Sequence, residues 1–244
     1  YRALLQSGNL MLADQIVKKL RKYGLVPRVL WVSNLRDTVI KDKILENFRK
    51  EGVKAVITST SFASVEFNQT SLESSLWDIL DVPVFQLLTS SIERGQWLKS
   101  NRGLSPLDLS MQIVLPELDG RVTTRPCAFK KIKEVDKQLS TVIQTLEPDK
   151  VNIDWLALHV KSLIKLQEIH PFNKKITLLL ANYPVKNGRM ANGVGLDTPE
   201  STIEILRWLK ESGHNLGKRS LPKNGNTLMR EILSKRTNDP ESLH

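Results

Sequence analysis

The sequence predicts an α/β fold of two Rossmann-like lobes, each a parallel sheet with helices on both faces. Short apolar runs with β-branched and aromatic character alternate with longer segments of helical period, which implies parallel pairing. The run KITLLLA at 175–181 reads as a strand buried on both faces. The order helix, strand, helix, strand also places an expected first strand before Tyr1. With no initiator Met and no signal-peptide layout, the chain is expected to be an internal part of a longer protein.

Taken in order, residues 9–23 carry Leu12, Ile16 and Leu20 at i, i+4 and i+8, one buried helix face, with Gly24 as a stop. Residues 28–32 (RVLWV) read as a strand, and 38–51 as a helix through Ile40, Ile44 and Phe48, closed by Gly52. Strands are expected at 53–60 and 82–89, with a helical stretch around 72–80 between them. The segment 93–130 breaks this rhythm. Ser105-Pro106 starts a helix, and 114–115 and 122–123 suggest short strands around the turn 117–120, as a hairpin closing the sheet or as a ligand-facing element. The charged stretch 131–150 reads as a helix and linker, so the expected lobes are 1–130 and 151–244. In the second lobe, Ile153, Leu156, Val160 and Leu163 mark a helix at 152–169. Another begins where Thr198 caps, Pro199 takes the first helical position and Glu200 complements the dipole; Gly213 ends it, and a last short helix covers 226–234.

The bulk numbers exclude several function classes. No run approaches about 18 apolar residues, so no membrane-spanning helix is expected. A single cysteine, Cys127, excludes an internal disulfide and makes a reducing cytoplasm the simplest setting. The formal charge of +10 suits an anionic partner, but runs such as Lys18-Lys19 lie on helix faces where solvated surface explains them equally well. The few scattered aromatics form no stacking platform, so nucleic acid is not expected as a partner. GVGLDT at 193–198 lacks the final glycine of a dinucleotide fingerprint, and neither a P-loop nor a G-x-S-x-G elbow occurs. The histidines and Cys127 are too far apart in sequence for a zinc signature, and His159, one turn after Trp155, reads as a packed or surface side chain.

Two polar constellations remain. Glu117, Asp119, Arg121 and Arg125 could take a divalent cation through oxygens or a carboxylate through an arginine fork; a surface turn with ordinary salt bridges satisfies the same residues. Arg189, Asn192 and Asp197 lie in the long connection 181–199, rich in glycine and asparagine, at a helix start that favours an anion. A network in which Asp197 helps to cap that helix is the alternative. Ser7-Gly8-Asn9 opens the first helix in a similar way, and the two loops are candidates to share a cleft.

The segments YRALLQSGN (1–9), NRGLSP (101–106), LPELDGRVTTRP (115–126) and NYPVKNGRMANGVGLDTP (182–199) resemble, in order, the large subunit of aerobic cobaltochelatase, which shares a superfamily with the H subunit of magnesium chelatase. The resemblance implies a tetrapyrrole-binding subunit that acts on Co2+ as substrate metal. ATP would be used by a separate AAA+ motor subunit with its companion subunit, in keeping with the lack of a P-loop here. It further implies a corrin precursor such as hydrogenobyrinic acid a,c-diamide as ligand. The candidate contacts are Arg121, Arg125, Asn182, Arg189, Asn192, Asp197, Ser7 and Asn9, and Glu117 or Asp119 is the candidate proton acceptor or metal ligand. Magnesium and protoporphyrin IX, or a non-catalytic scaffold for the motor subunits, are the competing expectations.

Overall fold

The computed structural model describes residues 6, 8–32, 35, 37–64, 67–68, 71–72, 75–181, 191, 193 and 195–234. The chain divides into two compact units, Tyr1–Lys165 and Leu166–His244.

In the first unit the described elements are α1 (Met11–Lys22), α2 (Thr38–Glu51), β1 (Val56–Thr58), the small hairpin β2 (Phe67–Asn68) and β3 (Ser71–Leu72), α3 (Leu76–Leu80), β4 (Val84–Ser90), α4 (Arg94–Lys99), α5 (Pro106–Leu109), a π-helical turn Ser110–Val114, α6 (Leu115–Glu117), β5 (Val122–Asp136), β6 (Thr141–Pro148) and α7 (Lys150–Glu168). The main sheet runs β1-β4-β5-β6: β1 with β4 and β4 with β5 are parallel, and β5 with β6 is antiparallel.

Each helix follows from local chemistry. Leu12, Ile16 and Leu20 bury one stripe of α1. Asp37 caps α2 by accepting from the amides of Val39 and Ile40, and Gly52 closes it at φ 61°, a left-handed position that suits glycine. Ser75 and Asp78 form a reciprocal capping box on α3. β4 then divides the core by its period of two. Phe85 and Leu87 pack with Leu12, Ile16 and Leu20 of α1, Cys127 and Ala128 of β5, and Ile153, Leu156, Ala157 and Val160 of α7. Val84 joins Ile44 and Leu45 of α2 and Leu76 and Trp77 of α3 in a second cluster. Helices thus cover both faces of the central strand, as an α/β fold requires.

Four expectations are corrected here. Residues 28–32 form no strand: Val29, Leu30 and Trp31 are exposed, and the run does not pair with β1, the edge of the sheet among the described residues. Val114-Leu115 is helical, because the Ser105 cap starts a run of turns that continues through the π-helical segment into α6. The stretch 131–150 is not a helix and linker but the long hairpin of β5 and β6, where Thr141, Val142, Ile143 and Thr145 fit a pleated surface better than a helix. That hairpin also makes the sheet mixed rather than purely parallel.

In the second unit, a 3₁₀ turn at Pro171–Asn173 is followed by α8 (Thr198–Glu211) and α9 (Gly225–Leu233). Residues 175–181 are outside any strand, and Leu178 and Leu179 are exposed, because no partner strand lies beside them among the described residues. A second parallel sheet is therefore not part of the described structure, and the fold that stands is mixed α/β. The start of α8 is also corrected by one residue. Asp197, not Thr198, is the cap, accepting from the amide of Glu200 at 3.1 Å. α9 packs tightly on that start. The amide of Gly225 donates to Glu200 Oε2 at 2.7 Å, and a Cβ at Gly225 would lie 2.8 Å from Pro199 Cβ.

Candidate functional site

Gln86 is a polar interruption in an otherwise apolar strand, 1% exposed and on the same side of β4 as Val84. A carboxamide placed there needs partners. Its Nε2 donates to the carbonyl of Thr60 at 3.3 Å, and its Oε1 accepts from Arg121 Nη1 at 2.8 Å. Arg121 arrives from the turn before β5 and commits its remaining donors to the loop after β1. Nη1 donates to the Thr60 carbonyl at 2.8 Å and Nη2 to the Phe62 carbonyl at 2.9 Å. Nε and Nη2 both reach Asp119 Oδ2, at 3.0 and 2.6 Å.

Asp119 is equally enclosed. It accepts from the Ser64 amide at 3.0 and 2.8 Å and from the Trp77 indole at 3.1 Å, and the Arg121 guanidinium lies 5.7 Å from the centroid of the Trp77 ring. The two side chains are 1% and 0% exposed, so the expected surface turn is in fact a buried ion pair. Burial lowers the Arg121 pKa from its ordinary value while Asp119 opposes the shift. The pair staples the turn before β5 to residues 60–64, where Phe62 is held at φ 67°, a costly angle for a side chain with a Cβ. Ser64 Oγ, buried beside it, has no hydrogen-bond partner among the described residues.

Arg125 goes elsewhere. Strand residues four apart normally share a face, but β5 carries an extra residue between the pairs Gln86↔Thr123 and Leu88↔Pro126, and this bulge reverses the alternation. Arg121 therefore faces α3, whereas Arg125 lies over α7, its Cζ 4.5 Å from the centroid of the Trp155 ring. Trp155 stacks on His159 at 4.8 Å, and His159 meets Phe85 edge-on at 5.5 Å. This ladder seats an exposed guanidinium over an aromatic ring, with no carboxylate paired to it among the described residues.

Below the ladder, Asp149 caps α7 through the amides of Val151 and Asn152 and pairs with Arg94 Nε at 2.6 Å. Burial pushes the Asp149 carboxyl up, but Arg94 and the two amides outweigh it and hold the group below its ordinary value. Cys127 is sealed beneath the same corner. Burial, reinforced by Asp149, pushes its thiol up to about 12. A further clamp closes the C-terminal end of β4: Gln112, on the π-helical turn, accepts from the Thr89 amide at 2.8 Å and donates to the Thr89 carbonyl at 2.9 Å, in the manner of a neighbouring strand.

Of the other sequence candidates, Glu117 is exposed at the end of α6, and Asn9 accepts from the Leu146 amide at 3.4 Å. Asp197 caps α8. Ser7, Asn182, Arg189 and Asn192 lie outside the described residues. The site therefore brings Asp119 and Arg121 together, while Arg125 lies over Trp155 and Glu117 is exposed. Sequence reading missed Gln86, Trp77, Trp155 and Asp149. A glutamine inside an apolar strand, and an aromatic and a histidine spaced i, i+4 on a helix, were the available signals. Among the described residues no group of three or more His, Cys, Asp or Glu side chains is placed to hold a metal ion.

The model of the CobN/Magnesium Chelatase family matches residues 1–244. The aerobic cobaltochelatase CobN protein of Pseudomonas aeruginosa is 32% identical over 243 residues, 100% of this chain and 19% of its own length. The magnesium-chelatase H protein of Chlorobaculum parvum is 30% identical over 173 residues, 67% of this chain and 12% of its own. The solved catalytic subunit of cobaltochelatase from Mycobacterium tuberculosis superposes with a TM-score of 0.79 at 26% identity, over 96% of this chain and 20% of that one. The chain thus spans about a fifth of the length of the cobaltochelatase relatives it matches. With the family model matching from first residue to last and this likeness in fold, the chain belongs to the CobN/magnesium chelatase family.

Proposed function

We propose that this chain is an internal part of the tetrapyrrole-binding large subunit of an ATP-dependent cobaltochelatase, which inserts Co2+ into a corrin precursor such as hydrogenobyrinic acid a,c-diamide in cobalamin biosynthesis. Its similarity to the aerobic cobaltochelatase protein is 32% identity over the whole chain, against 22% over 90% of it for the magnesium-chelatase H protein of Rhodobacter capsulatus, and this supports cobalt over magnesium. ATP is consumed by an AAA+ motor subunit and its companion. The isolated segment is inactive without them, and the complex works in the cytoplasm.

The observation that carries the ligand assignment is the Arg125 ladder. A corrin precursor presents carboxylates and amides at its rim, and an exposed guanidinium seated over the Trp155 ring can take one in bidentate fashion. Asp119 and Arg121 act by fixing the 60–64 loop, since their polar atoms are already engaged. The same engagement makes Asp119 a poor base. Glu117, exposed at the end of α6, is the better acceptor for a pyrrole proton displaced as the metal enters. Ser7 and Asn9 of the first unit, and Asn182, Arg189, Asn192 and Asp197 of the second, are further proposed substrate-binding residues, each taken by itself.

The decisive assay supplies the full-length protein and its motor subunits with ATP and either Co2+ with the corrin precursor or Mg2+ with protoporphyrin IX. Cobalt insertion is the expected outcome. Magnesium insertion would assign the chain to the magnesium branch, and motor binding without tetrapyrrole binding would leave only a scaffold.

A further inference from the structure

A second polar feature lies away from the Arg125 ladder. Between α1 and the first turn of α7 is a cavity of about 380 Å³ lined by Gln15, Lys18, Lys19, Lys22, Lys150 and Ile153. Its walls are rigid because α1 and α7 share the core: Leu12, Ile16 and Leu20 of the first pack in the same cluster as Ile153 and Leu156 of the second.

Four lysines line this cavity, and the carboxylates of Asp154 and Asp149 beside it are already engaged. Asp154 binds Lys19 Nζ at 2.7 Å and accepts the Tyr23 hydroxyl at 2.8 Å. Asp149 is committed to Arg94 and to the capping amides of α7. Lys18, Lys22 and Lys150 form no salt bridge within 4.0 Å among the described residues, and of the three Lys22 also acts at longer range on Asp154. Lys18 and Lys22 sit near the C-terminal end of α1, where a cation is favoured, but Lys150 opens the 19-residue α7, and that first turn contains no acidic residue. A lysine at the positive end of a helix, beside three others in one concavity, is electrostatically unfavourable on its own. Such local conflicts concentrate at functional positions. The α7 amides are already capped, so an anion here would be gripped by the ammonium groups as point charges rather than by the helix end.

We propose that this cavity is an anion-binding site for a compact ligand of the phosphate class carrying two or more negative charges. The size supports this assignment: about 380 Å³ lies at the small end of ligand pockets. Several lysines without a flat guanidinium suit a tetrahedral oxyanion better than a planar carboxylate. The site is independent of the chelatase assignment and stands or falls separately from it.

The probe is inorganic pyrophosphate, titrated calorimetrically into the full-length protein at fixed ionic strength. Saturable binding is expected, weakened about tenfold or more in the variant Lys18→Ala/Lys22→Ala/Lys150→Ala. A charge-matched control, Lys43→Ala/Arg49→Ala/Lys50→Ala on α2, removes the same formal charge without touching the cavity and is expected to bind as the parent does. All six positions are exposed helical surface, where alanine is well tolerated. Equal loss in the control, or no saturable binding at millimolar pyrophosphate, would overturn the proposal. Acetate in place of pyrophosphate tests the charge requirement, and binding of this monovalent anion as tight as that of pyrophosphate would contradict it.

Discussion

Arg121 and Asp119 are each enclosed by the other's neighbours, so removing either charge leaves its partner stranded. Asp119→Asn is expected to destabilise the first unit by about 3–5 kcal/mol in chemical denaturation, the range for breaking a buried pair. Replacing both, as Asp119→Leu with Arg121→Met, is expected to cost less than the two single changes added together, because no uncompensated charge remains. Cys127 offers a gentler test. With its thiol pushed up to about 12 and no exposed surface, it is expected to resist a thiol-specific reagent at pH 8 and to react only as the protein unfolds. Rapid labelling of native protein would mean that the β4–β5–α7 corner is open.

The elements show which parts of the fold a single sequence encodes locally. α1, α2, α7 and α8 were legible because each carries its own stripe and stop, such as Ile16 and Leu20 on α1 or Gly52 after α2. β5 and β6 were not, because Lys130 to Glu134 reads as solvated helix until the partner strand is known, and pairing is a non-local property. The ion pair was visible as residues but not as a pair. Nothing in D-G-R says that both side chains turn inward, whereas the bulge that sends Arg125 to the opposite face depends on the register of β4. Two predictions belong to single elements. Gly225→Ala places a methyl 2.8 Å from Pro199 Cβ and 3.0 Å from the Glu200 amide, and is expected to loosen the α8–α9 corner by about 1–3 kcal/mol, read as a lowered melting temperature. At the start of α7, the Asp149 carboxyl is held below its ordinary value in the folded state. Its contribution is therefore complete above the unfolded pKa of about 3.9 and lost as the pH falls through the lower folded value. Asp108 adds in the same direction: burial raises its carboxyl, but the Ser91 side chain and amide, with Ser105 and Gln112, hold it low. Acid titration of Arg94→Ala is expected to show a smaller loss of stability below about pH 4 than the parent. An equal or larger loss would remove Arg94 as the cause.

Taken as a whole, the first unit separates two duties on the two faces of one sheet. On the α3 side, polar groups are closed into a network that fixes the 60–64 loop. On the α7 side, an exposed arginine sits on an aromatic ladder, with no carboxylate paired to it among the described residues. The proposed function gives that arginine a ligand class, and the central claim is the proposal that Arg125 anchors the rim of a tetrapyrrole. The most direct measurement is the affinity of the full-length protein for the corrin precursor, followed by absorbance titration, in the parent, Arg125→Ala and Arg125→Lys. The expected result is a loss of roughly tenfold to a hundredfold for Arg125→Ala, the scale of a hydrogen-bonded charge pair, with partial retention for Arg125→Lys and no change in melting temperature. Unchanged affinity in Arg125→Ala, together with weakened binding of the motor subunits, would contradict it.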